Sequence, residues 1–172
     1  MAIRLLGKND VSPYRRLRLQ GLRESPTAFG SSHQQEGKQP LRFFEQRIVA
    51  TPERWALGAF AGEKLVGVIG FVRDAGLKNR HKGFIWGMYV APRFRRRGIG
   101  LALFRAALAR VEALRGLRWV RLSVTTSNRA ALRLYRKLGF VRYAKEPESL
   151  FVNGRYYPEY HLVLRLGRKS GR

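Results

Sequence analysis

Hydrophobic and polar positions along the chain switch between a period near two and a period near 3.6, the signatures of strand and helix. Residues 3–6 are short and apolar, which predicts a first strand. Asp10 or Ser12 can cap a following helix with Pro13 near its first turn, and Tyr14, Leu17 and Leu22 mark its inner face. Ser25-Pro26 stops that helix, and residues 27–40 read as a polar loop holding Phe29. Residues 41–49 predict a second helix before Thr51-Pro52. Apolar runs at 55–60 and 65–73 flank Ala61-Gly62-Glu63-Lys64, a four-residue hairpin signal. After a basic loop at 78–82, the unbroken apolar run 84–90 reads as a strand buried on both faces.

Residues 98–114 form the longest helix candidate, with Ile99, Leu103, Ala106, Val111 and Leu114 on one broad face. Residues 119–124 alternate as a strand. Asn128 can cap a helix running through Leu138, with Gly139 ending it. Residues 140–144 restart a strand, Asn153-Gly154 turns a hairpin within 151–157, and residues 160–166 finish as a strand. The order β-α-α-β-β-β-α-β-α-β-β predicts an α/β (α+β) fold. It has a mixed, mostly antiparallel sheet of about seven strands with about four helices on its faces.

Composition narrows the picture. With 172 residues, 45% hydrophobic and 12% aromatic, the chain should fold, but as one domain rather than two. No repeat or linker divides it, so a single domain over 1–166 with a basic tail over 167–172 is expected. The absence of cysteine excludes disulfides, thiolate metal sites and a cysteine nucleophile, and the dispersed His33, His81 and His161 argue against a histidine metal site. No run approaches the ~20 apolar residues of a membrane span, and residues 1–7 lack the apolar stretch of a secretory leader. A metal-free cytoplasmic domain without membrane attachment is the expectation.

The net charge is +24, from 35 basic and 11 acidic residues. Such an excess attracts polyanions, so nucleic acid enters as a partner on charge alone. The 27 arginines and 8 lysines are spread along the whole chain, however, and they form no separate arm and no nucleic-acid motif.

The informative stretch is Met88-Tyr89-Val90-Ala91-Pro92-Arg93-Phe94-Arg95-Arg96-Arg97-Gly98-Ile99-Gly100. A strand runs into a basic, glycine-containing turn that opens directly into a long helix. Backbone N–H groups at a helix N-terminus point outward, and the macrodipole adds positive potential. Gly98 and Gly100 carry no Cβ, so phosphate oxygens can approach the main chain, and Arg95, Arg96 and Arg97 add charged donors. A dinucleotide fold would place G-x-G-x-x-G after the first strand, whereas this turn follows the fourth. The triphosphate loop G-x-x-x-x-G-K-[ST] does not occur.

Arg95-x-x-Gly98-x-Gly100, preceded by Met88-x-Val90-x-Pro92, resembles the acyl-CoA signature of the GNAT superfamily of N-acetyltransferases. Asn128-Arg129-Ala130-Ala131-Leu132-Arg133-Leu134-Tyr135-Arg136-Lys137-Leu138-Gly139-Phe140 resembles the later N-x-x-A-x-x-x-Y-x-x-x-G-F motif of that family. The resemblance implies acetyl transfer from acetyl-CoA to a primary amine by direct attack in a ternary complex, with no metal. It implies that the main chain of Met88, Tyr89 and Val90 pairs with the pantetheine arm, admitted through a V-shaped gap between the fourth and fifth strands. An N–H there would polarise the thioester carbonyl. The amides of Arg95, Arg96, Arg97, Gly98, Ile99, Gly100 and Leu101 would hold the pyrophosphate. Asn128 and Ala131 would contact the rest of CoA, and Tyr135 would protonate the departing thiolate.

Family members often carry a glutamate near the start of the fourth strand as general base. Here the corresponding place is Phe84, and residues 83–90 hold no acid. Glu24, Glu36, Glu159, His81 and His161 are the replacements to consider. The acceptor pocket of the family is built by the first helices and the last hairpin, which makes Phe29, Ser31, Ser32, Tyr156 and Tyr157 lining candidates. A small-molecule amine or a protein N-terminus is the expected acceptor, in a chain that can form a homodimer. The competing reading is a nucleic-acid-binding or ribosome-associated module on the same fold.

Overall fold

The computed structural model describes residues 1–167. The elements are β1 (Ala2–Leu5), α1 (Val11–Glu24), α2 (His33–Gly37), α3 (Leu41–Ile48), β2 (Arg54–Ala61), β3 (Lys64–Arg73), β4 (Lys82–Val90), α4 (Ile99–Glu112), β5 (Trp119–Thr125), α5 (Arg129–Lys137), β6 (Val141–Val152) and β7 (Arg155–Arg165). The seven strands follow the order β1-β2-β3-β4-β5-β7-β6. β4 and β5 run parallel, while β1–β2, β2–β3, β5–β7 and β6–β7 are antiparallel. Apart from one added helix, α2, the expected element order and the mixed sheet are therefore present. Gly167 is the last described residue, so the rest of the expected basic tail lies outside the description.

The chain divides into two compact units, the first comprising Met1–Val72 with Ile85–Ala109. Its core gathers Leu6, Tyr14, Leu17, Leu22, Phe44, Ile48, Phe60, Leu65, Val68 and Tyr89. The buried face of α1 is Val11, Tyr14, Leu17, Arg18, Gly21 and Leu22, which is the 3–4 spacing that buries one helical stripe. Arg18 is the polar exception in it.

The second unit comprises Arg73–Phe84 and the chain from Arg110 onward. Val120, Leu122, Val124, Tyr135, Phe140 and Leu162 are buried there. The parallel ladder has three registered pairs, Lys82↔Trp119, Gly83↔Val120 and Phe84↔Arg121. α5 ends in a two-bond cap, with Phe140 N–H donating to Tyr135 O and Gly139 N–H to Arg136 O, both at 3.0 Å. Gly139 sits at φ +87°, and the Phe140 ring meets Tyr135 at 6.1 Å between centroids. That cap is the physical content of the Gly-Phe ending of the motif.

Three expectations are corrected. Residues 33–37, expected as polar loop, form α2, because Ser32 Oγ accepts from Gln35 N–H at 3.1 Å and Glu36 finds buried ion pairs. β4 is not buried on both faces: Gly83, Ile85 and Tyr89 are buried while the positions between them are half-buried. β6 runs unbroken over the span where a break was expected. It absorbs Pro147 as an irregularity in register between Glu146 and Leu150, opposite a β7 that starts at Arg155.

Candidate active site

In the first unit β4 carries a bulge that re-aims its side chains. A Cβ at Gly70 would collide with the Trp86 ring, and Arg47 of α3 lies 5.1 Å over that ring, so Trp86 faces the helices α1 and α3. Tyr89 faces the same way, since a Cβ at Gly21 of α1 would meet its ring at 3.1 Å. Val90 faces α4 instead, sharing with Leu103 the space over Gly67. Residues three apart share a face only if one extra residue interrupts the pleat. That residue is Gly87, at φ +64°, a conformation side chains rarely adopt.

Beyond Val90 the chain enters a 3-10 turn, Pro92–Phe94, and then the loop to α4. Arg96 and Gly98 both have positive φ, +61° and +76°. Left-handed residues so placed turn successive N–H groups toward one concave side. The first helical bond of α4 is Ala102 N–H to Gly98 O at 3.0 Å, so the amides of Ile99, Gly100 and Leu101 have no intrahelical acceptor. A Cβ at Gly98 would meet nothing within 4 Å, leaving open space at the helix start. Arg95 shapes the turn: its N–H donates to Pro92 O at 3.1 Å, its Nε to Val90 O at 2.8 Å, and its guanidinium lies 5.4 Å over Tyr89. Arg97 lies 5.6 Å over Phe94.

Tyr89, expected to act through its backbone, also has a working side chain. Its hydroxyl donates to Glu24 Oε2 at 2.5 Å, and Gln20 donates to Glu24 Oε1 at 2.9 Å. Those hydrogen bonds hold the Glu24 carboxyl below its ordinary range, while burial and the bond to Glu24 push the Tyr89 phenol up. A carboxylate held low suits attracting an ammonium group better than removing its proton.

In the second unit Asn128 caps α5, its Oδ1 accepting from Ala131 N–H at 3.2 Å. Tyr135 faces inward from that helix, 7% exposed, and burial pushes its phenol up to about 12. It therefore keeps its proton across the working range. A group the sequence did not single out lies on β5. Ser123 is the direct cross-strand neighbour of His161, and its Oγ stands 2.9 Å from His161 Nδ1. His161 Nε2 stands 2.9 Å from Glu146 Oε2. With the carboxylate accepting from Nε2–H, Nδ1 is left to accept from the serine hydroxyl, the polarity of a serine–histidine–acid relay.

The remaining expected residues have other partners. Glu36 is tied to Arg18 and Arg47, and Glu159 accepts from Ser149 Oγ at 2.7 Å. Phe29 is buried between Tyr89, at 6.3 Å, and the Arg18 guanidinium, at 4.8 Å. Ser32 is the α2 cap, and its neighbour Ser31 is half-buried. Tyr156 is 59% exposed and pairs with Phe151 at 4.8 Å across the hairpin, with Tyr157 half-buried beside it. Among the described residues no cluster of three or more histidine, aspartate or glutamate side chains could hold a metal, and no helix is long and apolar enough to cross a membrane.

A bulged strand, a positively disposed turn and a helix start with spare amides follow one another here, and residues 19–140 match the Acetyltransferase (GNAT) family. The chain belongs to that family. N-alpha-acetyltransferase 30 of Xenopus laevis is 39% identical over 97 residues, which are 56% of this chain and 34% of that protein. The L-2,4-diaminobutyric acid acetyltransferase of Shouchella clausii is 40% identical over 78 residues, 45% of this chain and 42% of that one. The chain thus spans less than half the length of these relatives. The Salmonella typhimurium acetyltransferase yncA, solved with its cofactor acetyl-CoA, shares the fold at a TM-score of 0.81 and 18% identity, over 100% of this chain and 97% of that one.

Proposed function

We propose that the chain moves an acetyl group from acetyl-CoA to a primary amine by direct attack in a ternary complex. The observation that carries this reading is the turn between Val90 and Leu101. Two left-handed residues and the first turn of α4 leave a row of main-chain donors facing open space at Gly98. Bound there, acetyl-CoA supplies the activated acetyl group. The amides of the turn hold its pyrophosphate, the main chain of Met88–Val90 takes its pantetheine arm, and an N–H of that strand polarises the thioester carbonyl. Asn128 and Ala131 touch the rest of the cosubstrate.

The leaving-group proton belongs to Tyr135. The amine lone pair attacks the carbonyl carbon, forming the C–N bond as the C–S bond breaks. The proton that the amine sheds goes to water. Tyr135 gives its phenolic proton to the thiolate.

The catalytic domain is 1–166, working in the cytoplasm on a small-molecule amine or a protein N-terminus. Thiol release from acetyl-CoA, followed against amino acids, polyamines, aminoglycosides and peptide N-termini, tests the reading. At least one amine should give acceptor-dependent release at a rate well above hydrolysis. Acetyl-CoA left intact beside every amine contradicts it.

A further inference from the structure

The first unit holds a polar cluster that acetyl transfer does not use. Arg18, on the inner face of α1, is 5% exposed. Its Nε and Nη2 donate to the two oxygens of Glu36 at 3.0 and 2.8 Å, and Arg47 donates Nη1 to Glu36 Oε1 at 2.7 Å. One carboxylate therefore serves two guanidinium groups, and the cluster carries a net positive charge. Burial pushes the Glu36 carboxyl up, but the hydrogen bonds and charges of both arginines outweigh it and hold the group ionised. Water reaches Arg47, whose side chain is 28% exposed, while Arg18 is shut away.

The third nitrogen of that guanidinium, Arg18 Nη1, is buried without a hydrogen-bond partner, and so is the Tyr14 hydroxyl one turn earlier. Nη1 aims at the bulge of β4. A Cβ at Gly87 would stand 4.0 Å from it and, chain neighbours aside, within 4 Å of nothing else. A buried charged donor without a partner and an uncompensated positive charge, facing a glycine that has no side chain, together fit an anion. Water can satisfy an N–H there but brings no charge. A peptide carbonyl brings none either.

We propose that Arg18 is the anchor for a carboxylate on the acceptor, so that the acceptor is a small amino acid rather than a simple amine or a protein N-terminus. The carboxylate sits on Arg18 Nη1 over Gly87, and the amine lies along β4. This rests on the acetyltransferase reading.

The test is a set of matched pairs, each an amino acid and its decarboxylated amine: 2,4-diaminobutyrate with 1,3-diaminopropane, lysine with cadaverine, glycine with methylamine. Each is titrated calorimetrically into the CoA-saturated protein and assayed for turnover with acetyl-CoA. Wild type should bind at least one carboxylated member about 10–100-fold more tightly than its partner, as loss of a charge-assisted hydrogen bond would cost. Arg18→Gln should erase that preference through KM while CoA still raises its Tm. Arg47→Gln, which also removes a Glu36 partner but does not face Gly87, should keep the preference. Equal binding of both members of every pair, or no binding of any carboxylated member, overturns the proposal using wild type alone. Failure of CoA itself to bind would instead overturn the acetyltransferase reading.

Discussion

Arg4–Asp10 and Arg18–Glu36–Arg47 are built from the same parts in the same unit, yet one is closed and the other is left open. Arg4 grips both oxygens of Asp10 at 2.7 and 2.8 Å, and the Gly7 N–H adds a third bond at 2.8 Å. The charges cancel, the Arg4 side chain is 53% exposed, and its guanidinium rests on Phe60 at 4.1 Å. Asp10 fastens the chain where it enters α1, and nothing remains for a ligand. Glu36 instead divides itself between two cations, and the better buried of them keeps unsatisfied donors aimed at the bulge of β4. A polar group whose bonds are all made is a fastener. One left short beside open space is a receptor.

The largest expected effect lies in the second unit, at a buried phenol. Tyr135→Phe keeps the ring against Phe140 and removes only the proton. As the acid for the leaving thiolate, Tyr135 should cost roughly 10²–10⁴-fold in kcat when lost, with little change in Tm or CoA affinity. Pre-steady-state thiol release, which separates chemistry from slow product departure, is the measurement. Normal chemistry would make Tyr135 a core residue.

Next comes the comparison itself. Glu36→Gln leaves two guanidinium groups without their shared counter-charge and should destabilise by about 3–5 kcal/mol. Asp10→Asn strands a half-exposed arginine and should cost nearer 1 kcal/mol. Urea denaturation of both variants decides it, and equal losses would remove the distinction between the open and closed clusters.

The remaining effects are on stability against pH. Hydrogen bonds from Arg4 hold Asp10 below its ordinary 3.8, and Glu36 lies below its ordinary 4.5. Both bind protons less readily folded than unfolded, so their contribution stands in full above those values and is lost as pH falls through the lowered ones. Tyr135 acts at the other end. It titrates at 10.0 unfolded and about 12 folded, so stability should decline as pH rises above 10, by roughly 3 kcal/mol at most. Thermal melts across pH check both limbs.

Much of this was readable in the chain before the fold was known. The apolar run of β4, the glycine turn and the long α4 are contiguous, and local spacing alone places a helix start after a strand. Asn128 and Gly139 were equally legible, because capping is local chemistry. α2 was hidden because its stability comes from Glu36 meeting Arg18 and Arg47, 18 and 11 residues away. Ser123 was invisible for the same reason, since its partner lies 38 residues on and meets it only through the β5–β7 register. Arg18 read as one more basic residue in a basic chain, and only its burial against Gly87 sets it apart.

The central claim is that the turn from Val90 to Leu101 holds the phosphates of acetyl-CoA, and calorimetric titration of CoA into wild type and Gly98→Val tests it most directly. A valine there meets no neighbour but fills the open space and strains a backbone at φ +76°, so the fold should survive with a modest loss of Tm. Wild type should bind CoA at low salt and gain thermal stability from it. Gly98→Val should lose at least tenfold in affinity. Undiminished binding by the folded variant, or no heat of binding in wild type, would contradict the claim.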